Sequence, residues 1–278
     1  MNNIDILSIG NITQDFIELD GNKHYSLGGT SFYAYKVAEK LGFDLGIISE
    51  ISNKIDYKKY IDKNKLFFQK TEKHTIFENN YVNGVRNQTI ISKPGKISIN
   101  KLNNLLSTLN PKIVFYCPIL NEIDSKFFNL FNKSIKVCNL QGFIRKISKG
   151  KIRSMSKLPD IDFKNFDSVI LSEIDSSFDN ALKISKHSNI VCYTMGSKGV
   201  KIIFNGDVRH IETIKIKYID ETGAGDVWGT SFIIFYYLMR KDLYESAFLA
   251  NISASLSVEG FSHNKIATYK QILSYKYQ

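Results

Sequence analysis

The sequence predicts an α/β protein with a central, mostly parallel sheet, helices on both of its faces and a small antiparallel β lid. Residues 1–278 read as a single domain of this kind. Three observations carry that expectation. Short apolar runs alternate with helical patterns along the chain, as in βαβ units. Several of these runs are apolar at successive positions, which suits parallel strands covered on both faces. Two stretches, about 11–25 and 66–97, break the rhythm with polar, alternating, β-prone sequence, and these supply the lid.

In chain order, Ile4–Ile9 is the first strand candidate and is followed by the first lid stretch. Thr30–Leu41 reads as a helix, with Ala34, Val37, Ala38 and Leu41 on one stripe and Gly42 as its stop. Leu45–Glu50 is the next strand. The second lid stretch sets Phe77, Tyr81, Val85 and Ile90 among Thr, Asn and Gln. Further strands are expected at Ile113–Cys117, Ile135–Leu140, Ser168–Leu171 and Ile190–Thr194. Lys201–Phe204 and Asp207–Ile211 flank Asn205-Gly206, the signature of a hairpin with a tight turn. Val227–Met239 is apolar enough for a buried helix and too short to span a bilayer.

Composition narrows the function classes. Hydrophobic residues make up 43% and charged residues 23%, an ordinary globular balance. The net charge of +10 could serve nucleic acid or an anionic substrate. The basic residues are scattered, with pairs such as Lys58-Lys59 and Arg145-Lys146 and no tract or recognition motif, so no nucleic-acid partner is expected. Cys117, Cys138 and Cys192 are widely spaced in apolar runs, which suits free core thiols in a reducing compartment. The five histidines show no ligand spacing. The first residues lack a basic n-region and an h-region, so a cytoplasmic protein without a membrane partner is expected.

The chemistry concentrates in Asp220-Glu221-Thr222-Gly223-Ala224-Gly225-Asp226, which leads from the β-prone Ile214–Ile219 into the apolar helix. Small residues at 223–225 let backbone amides approach an anion, and a helix N-terminus adds donors and partial positive charge. Asp226 then stands where a phosphate would lie. It reads either as a general base for an attacking hydroxyl or as a helix N-cap. No G-x-x-x-x-G-K-[ST] occurs, which excludes a P-loop. The spacing Gly223-x-Gly225-x-x-x-Gly229 is one residue too long for a dinucleotide fingerprint.

The segment Asp220-x-Thr222-Gly223-Ala224-Gly225-Asp226 resembles the C-terminal signature of the ribokinase/PfkB carbohydrate kinases. Four further segments resemble that family in the right order. They are Ser8-Ile9-Gly10-Asn11 with Asp15 and Gly28-Gly29-Thr30; Thr75-x-Phe77, Tyr81 and Gly84-x-Arg86; Ser172-Glu173-Ile174-Asp175; and Thr194-Met195-Gly196-Ser197-Lys198-Gly199. The resemblance implies a ribokinase-like fold and transfer of the γ-phosphoryl group of ATP, with Mg²⁺, to an acceptor hydroxyl. It implies Asp226 as base, with Gly223, Ala224 and Gly225 supplying anion-hole amides. Asn11, Asp15, Gly28 and Gly29 would face the acceptor. Thr194, Gly196, Ser197, Gly199 and Asn251 would approach the nucleotide, and small residues on the helix carrying Asn251 and Ser255 would let the base pack close. Glu173 and Asp175 would order the water shell of Mg²⁺. At that motif Ser172 replaces the family's usual Asn. A monovalent cation near Asp220 is also implied.

For the acceptor, Thr30-Ser31-Phe32-Tyr33 departs from the ribose-kinase pattern, whereas Gln141-Gly142-Phe143-Ile144-Arg145 is similar to the branch that includes inositol kinases. Gln141 and Arg145 would therefore contact a cyclic polyol or sugar. A nucleoside is the alternative, with Phe32 or Tyr33 stacking its base, and so is a non-catalytic sugar- or nucleotide-binding protein on the same fold. An exposed lid edge would permit a homodimer.

Overall fold

The computed structural model describes residues 2–19, 22–82, 85–93, 95–148, 150–217, 219–260 and 262–276. The apolar run at the start forms β1 (Asn2–Ile9), and successive side chains serve opposite faces of the sheet. Ile6 joins one buried cluster with Phe32, Phe232 and Leu249, and Leu7 and Ile9 join another with Leu102 and Ala181. This two-sided burial is why Ile6 and Leu7 are apolar at successive positions instead of alternating with polar residues.

Nine strands form the main sheet among the described residues. From the β1 centre, one side continues through β4 (Leu45–Ile51) and β5 (Leu66–Lys70). The other continues through β8 (Leu109–Tyr116), β9 (Ile135–Asn139), β12 (Ser168–Ser172) and β13 (Ile190–Thr194), then β14 (Val200–Phe204) and β15 (Asp207–Ile211). Pairing is parallel from β5 to β13 and antiparallel for β13–β14 and β14–β15. The chain order reverses at β1, between β4 and β8, so the carboxyl ends of β1 and β8 open at a topological switch point, where ligands of such sheets bind.

A second sheet runs β10 (Arg145–Ser148), β11 (Lys151–Ser154), β7 (Val85–Ser92), β6 (Thr75–Val82), β2 (Thr13–Leu19) and β3 (Asn22–Gly28). Its pairings are antiparallel except β2 with β6. The expected lid stretch 66–97 needs correction at its start. Residues 66–70 are β5, paired parallel to β4, because Leu66 and Gln69 are buried against the main sheet. The 145–154 hairpin was not anticipated, since its strands are four residues each and mostly solvent-facing. Gly84, expected in the lid motif, lies outside the described residues, as do the side chains of Tyr81 and Arg86.

Helices cover both faces: α1 (Thr30–Leu41), α2 (Ile99–Leu106), a short α3 (Gln141–Ile144), α4 (Phe178–Ile184), α5 (Ala224–Ile233), α6 (Leu243–Ser257) and α7 (Tyr269–Lys276). Helix α1 stops at Gly42, whose φ of 81° lets Phe43 N–H bond back to Ala38 O at 2.9 Å. Asp242 caps α6 by accepting from Tyr244 and Glu245 N–H. Helix α5 continues as a wider π turn over Ile234–Leu238, completing the buried 227–239 segment. Helix α2 escaped the sequence reading because only Leu102 and Leu106 are buried along it. Residues 212–217, part of the β-prone approach to the glycines, belong to no strand. All three cysteines are free and buried. No described helix is long and apolar enough to cross a membrane.

A buried polar knot ties the strand ends together at the switch point. Asn11 Oδ1 accepts from Glu50 N–H at 2.9 Å, while Asn11 N–H donates to Glu122 Oε1 at 2.9 Å. Glu122 also accepts from the amides of Ile119 and Leu120. Glu50 Oε1 accepts from Gln69 Nε2 at 2.8 Å, and its Oε2 is buried without a partner. Burial, followed by the nearby Glu122 charge, raises the Glu50 pKa. Because the folded value lies above the unfolded one, this group's stabilisation is full below the unfolded carboxyl range and is lost as pH rises through the folded value. Glu50→Gln should therefore gain melting temperature relative to the wild type as pH rises from about 4 to about 8. A difference that stays constant across that range would contradict the assignment.

Candidate active site

The glycine motif turns the chain into α5 by a left-handed step. Gly223 has φ 83° and is the N-cap. A Cβ there would lie 2.4 Å from the ring of Tyr33, so glycine is required twice over, by backbone angle and by space. Ala224 N–H donates to Glu221 O at 3.2 Å, and Val227 N–H to Gly223 O at 2.9 Å, which closes the first turn. Gly225 is exposed, and no atom would crowd a Cβ on it. The expected anion hole is thus an accessible helix start whose Ala224 amide already has a partner.

Asp226 sits half-buried in the first turn of α5. Gly223 is the N-cap of that helix, so Asp226 does not occupy the cap position. Its Oδ1 accepts from Thr30 Oγ1 at 2.8 Å, a contact between residues 196 apart. Thr30 opens α1 directly after Gly28 and Gly29, so the first and last signature segments meet here. The sequence reading gave no role to Thr30; its position after two glycines was the available signal.

Of the residues expected to face an acceptor, Gly28 and Gly29 directly precede Thr30, and Asp15 and Asn11 pack against these glycines. Asp15 is 4% exposed and accepts from Thr13 Oγ1 at 2.8 Å. A Cβ on Gly28 would come within 2.6 Å of Asp15 Oδ2, so this glycine makes room for the carboxylate. Gly29 has φ 87°, and a Cβ there would meet Asn11 O at 2.5 Å. Asn11 itself is committed to the polar knot. Tyr33 marks where the carboxylates converge. Its burial, and then the charges of Asp15, Asp220 and Asp226, push the phenol far above its usual pKa, against a hydrogen bond with Ser262. Asp220 accepts from Thr222 and Ser262 N–H, which fixes the approach to the motif. Cys117, hydrogen-bonded with Ser31, is also raised by burial, and Asp226 contributes to that shift.

Gln141 and Arg145 bracket α3 at the end of β9. A Cβ on Gly142 would overlap Pro118 O at 1.9 Å, so α3 is pressed onto the loop after β8. Gln141 N–H donates to Asn139 Oδ1 at 3.2 Å, and Arg145 begins the hairpin that joins the second sheet. Both side chains are half-buried.

The expected donor side is mixed. Gly196 and Ser197 form an exposed turn in which Gly196 has φ 54°. Thr194 Oγ1 donates to Leu171 O at 3.5 Å. Gly199, with φ 87°, lets the turn approach Ile211 O, where a Cβ would lie at 2.1 Å. Asn251 has all its side-chain groups engaged: Oδ1 accepts from Trp228 Nε1 at 2.7 Å, and Nδ2 donates to Ile211 O at 3.1 Å and Glu212 O at 2.9 Å. Glu173 pairs with Lys198 at 2.9 Å, and Asp175 accepts from Ser172 Oγ at 2.6 Å within its own turn. Among the described residues no group of three or more His, Cys, Asp or Glu could hold a metal.

Gly223→Ala should lower stability by at least about 1–2 kcal/mol, the cost of a left-handed alanine, before the clash with Tyr33 is counted. Thermal denaturation tests this, with Gly225→Ala as a control that meets no neighbour. Equal losses in the two variants would contradict the packing argument.

Residues 133–267 match the family described as pfkB family carbohydrate kinase. A search of the curated proteins found no match. Among solved structures, a pyrophosphate-dependent myo-inositol-1 kinase, studied for its conversion into a myo-inositol-3 kinase, superposes with a TM-score of 0.80 at 16% identity, covering 98% of this chain and 100% of that one. The ribokinase of Thermotoga maritima gives 0.76 at 17% identity over 99% and 100%. The ribokinase of Arabidopsis thaliana, complexed with ribose and ATP, gives 0.75 at 16% identity over 98% and 98%. At these identities the likeness establishes a shared fold over nearly the whole chain.

Proposed function

We propose, from the match of residues 133–267 to the pfkB family carbohydrate kinases, that the chain transfers a phosphoryl group to a hydroxyl of a small sugar or cyclic polyol, with Asp226 as general base. The observation that carries this reading is the meeting of the two signature segments: Thr30 Oγ1 donates to Asp226 Oδ1 at 2.8 Å, and Gly28, two residues before Thr30, packs on the buried Asp15. As the acceptor oxygen attacks the terminal phosphorus, its proton passes to Asp226. The new O–P bond forms, the bridging P–O bond of the donor breaks, and its electron pair leaves with the departing phosphate group. The start of α5 places partial positive charge where negative charge builds.

An inositol-like acceptor is favoured by Gln141 and Arg145 at the end of β9 and by the inositol kinase among the structural neighbours. The nucleoside alternative loses its main motive, because Phe32 is fully buried and Tyr33 lies under Gly223. Neither ring is available to stack a base. Intact Asp226 and its glycines speak against a non-catalytic binder.

For the donor, ATP is the first reading, as bound by the Arabidopsis ribokinase. Pyrophosphate is a second, favoured by Asn251. The helix face where an adenine was expected is bonded to residues 211–213, including Thr213 Oγ1 to Ser255 Oγ at 2.9 Å. A donor without a base needs nothing from that face, and three structural neighbours are pyrophosphate-dependent kinases.

The test is product formation from ATP or pyrophosphate against inositols, hexoses, pentoses, sugar phosphates and nucleosides. The expected result is turnover with a cyclic polyol, reduced about 10²- to 10⁴-fold in Asp226→Asn. A variant that keeps near wild-type turnover removes Asp226 as the base.

A further inference from the structure

We propose that Thr30 is the positioning residue that orients the Asp226 carboxylate, and that through it the first turn of α1 joins the acceptor glycines to the base. The inference rests on the reading of Asp226 as base. Thr30 is 0% exposed, so water does not compete for its hydroxyl. A hydroxyl at a helix start would ordinarily cap that helix. Here Gly29 is the N-cap, with no side-chain capping bond, and the Thr30 hydroxyl reaches across to Asp226 Oδ1. Thr30 is β-branched, which stiffens its χ1 and so fixes the donor's direction.

Thr230, one turn further on, donates to the backbone oxygen of Asp226 and not to its carboxylate. Thr30 holds the carboxylate itself, and does so from another helix. The ionisable groups facing it are Tyr33 of α1 and Cys117 after β8, both kept neutral by raised pKa values, with Asp15 and Asp220 gathered around the same Tyr33. Negative neighbours of this kind favour protonation of a base, and a hydrogen bond to the charged form opposes that. Thr30 supplies such a bond. The chain that carries Thr30 also carries Gly28, packed on Asp15, so a hydroxyl compound seated at Asp15 lies against the segment that aims the base.

Full-length Thr30→Val, Thr30→Ser and Asp226→Asn test this in two ways. The first is a carbon-13 NMR titration of the Asp226 carboxyl, assigned by its loss in Asp226→Asn, which needs no substrate. Thr30→Val should raise the midpoint and Thr30→Ser should keep it near the wild-type value. The second is kinetics with myo-inositol and ATP or pyrophosphate. Thr30→Val should lower kcat about tenfold or more with little change in KM, and should move the acid limb of the pH profile upward, while Thr30→Ser retains most of the rate. An unchanged midpoint in folded Thr30→Val overturns the proposal. If Thr30→Val does not fold, Thr30→Ala takes its place, with the same expected midpoint shift and the same overturning result. Full activity in Asp226→Asn would instead remove the base reading, leaving the titration to decide the hydrogen bond alone.

Discussion

Helix α1 is held against α5 with no space to spare, and that packing fixes the candidate site. The ring of Tyr33 occupies the volume a side chain at Gly223 would need. One turn earlier on the same helix, Thr30 reaches Asp226. Two contacts one helical turn apart set both the position and the rotation of α1 relative to the start of α5. Buried aromatic neighbours reinforce the seat: Phe32 packs edge-on against Tyr60 and His263. The glycine motif is therefore only half of a device whose other half is the first turn of α1.

The polar knot below it does for the sheet what α1 does for the helix layer. Glu122 gathers the amides of Asn11, Ile119 and Leu120 at the ends of β1 and β8, where the chain order reverses. Asn11 carries the tie on to β4 through Glu50 N–H. Loops leaving parallel strands have backbone groups that no ladder satisfies, and buried groups of this kind need partners. The Glu122 carboxylate and the Asn11 side-chain amide meet that need. One consequence is a carboxyl group, Glu50, kept away from its charged form.

Much of the fold was legible in the sequence, and the particular misses share a cause. Strands with continuous apolar runs, the 30–41 helix and the Asn-Gly hairpin lie where the patterning put them, because burial on both faces or a specific turn geometry left little choice. Segment 66–70 was grouped with the lid because Lys65, Gln69 and Lys70 diluted its apolar signal, yet Leu66 and Gln69 are buried. The 145–154 hairpin has no buried residue to announce it. In the site, residue type suggested ligand roles for Asn11, Asp175 and Asn251, and the structure adds that each also has a side-chain hydrogen bond within the fold. Thr30 and Glu122 showed the reverse. Their importance depends on residues 196 and 111 positions away, a relation no local pattern encodes.

The two sides of the candidate site differ in exposure, and that difference gives the proposed reaction a direction. On the acceptor side Asp15 and Thr30 are buried, and Gly28 is packed on a carboxylate. On the donor side Gly196, Ser197 and Gly225 face solvent. A hydroxyl compound bound at Asp15 would lie against the Gly28–Thr30 segment that holds Asp226, while a polyanionic donor could enter from the open side toward the start of α5. The order matters chemically. A base open to water could activate water as readily as a polyol, and the donor would be hydrolysed. A base held from beneath by the segment that also carries the acceptor glycines is best placed when the acceptor is present. On this reading the wide separation of the two signature segments in sequence has a physical use: one presents the acceptor and aims the base, and the other carries the base and receives the phosphate.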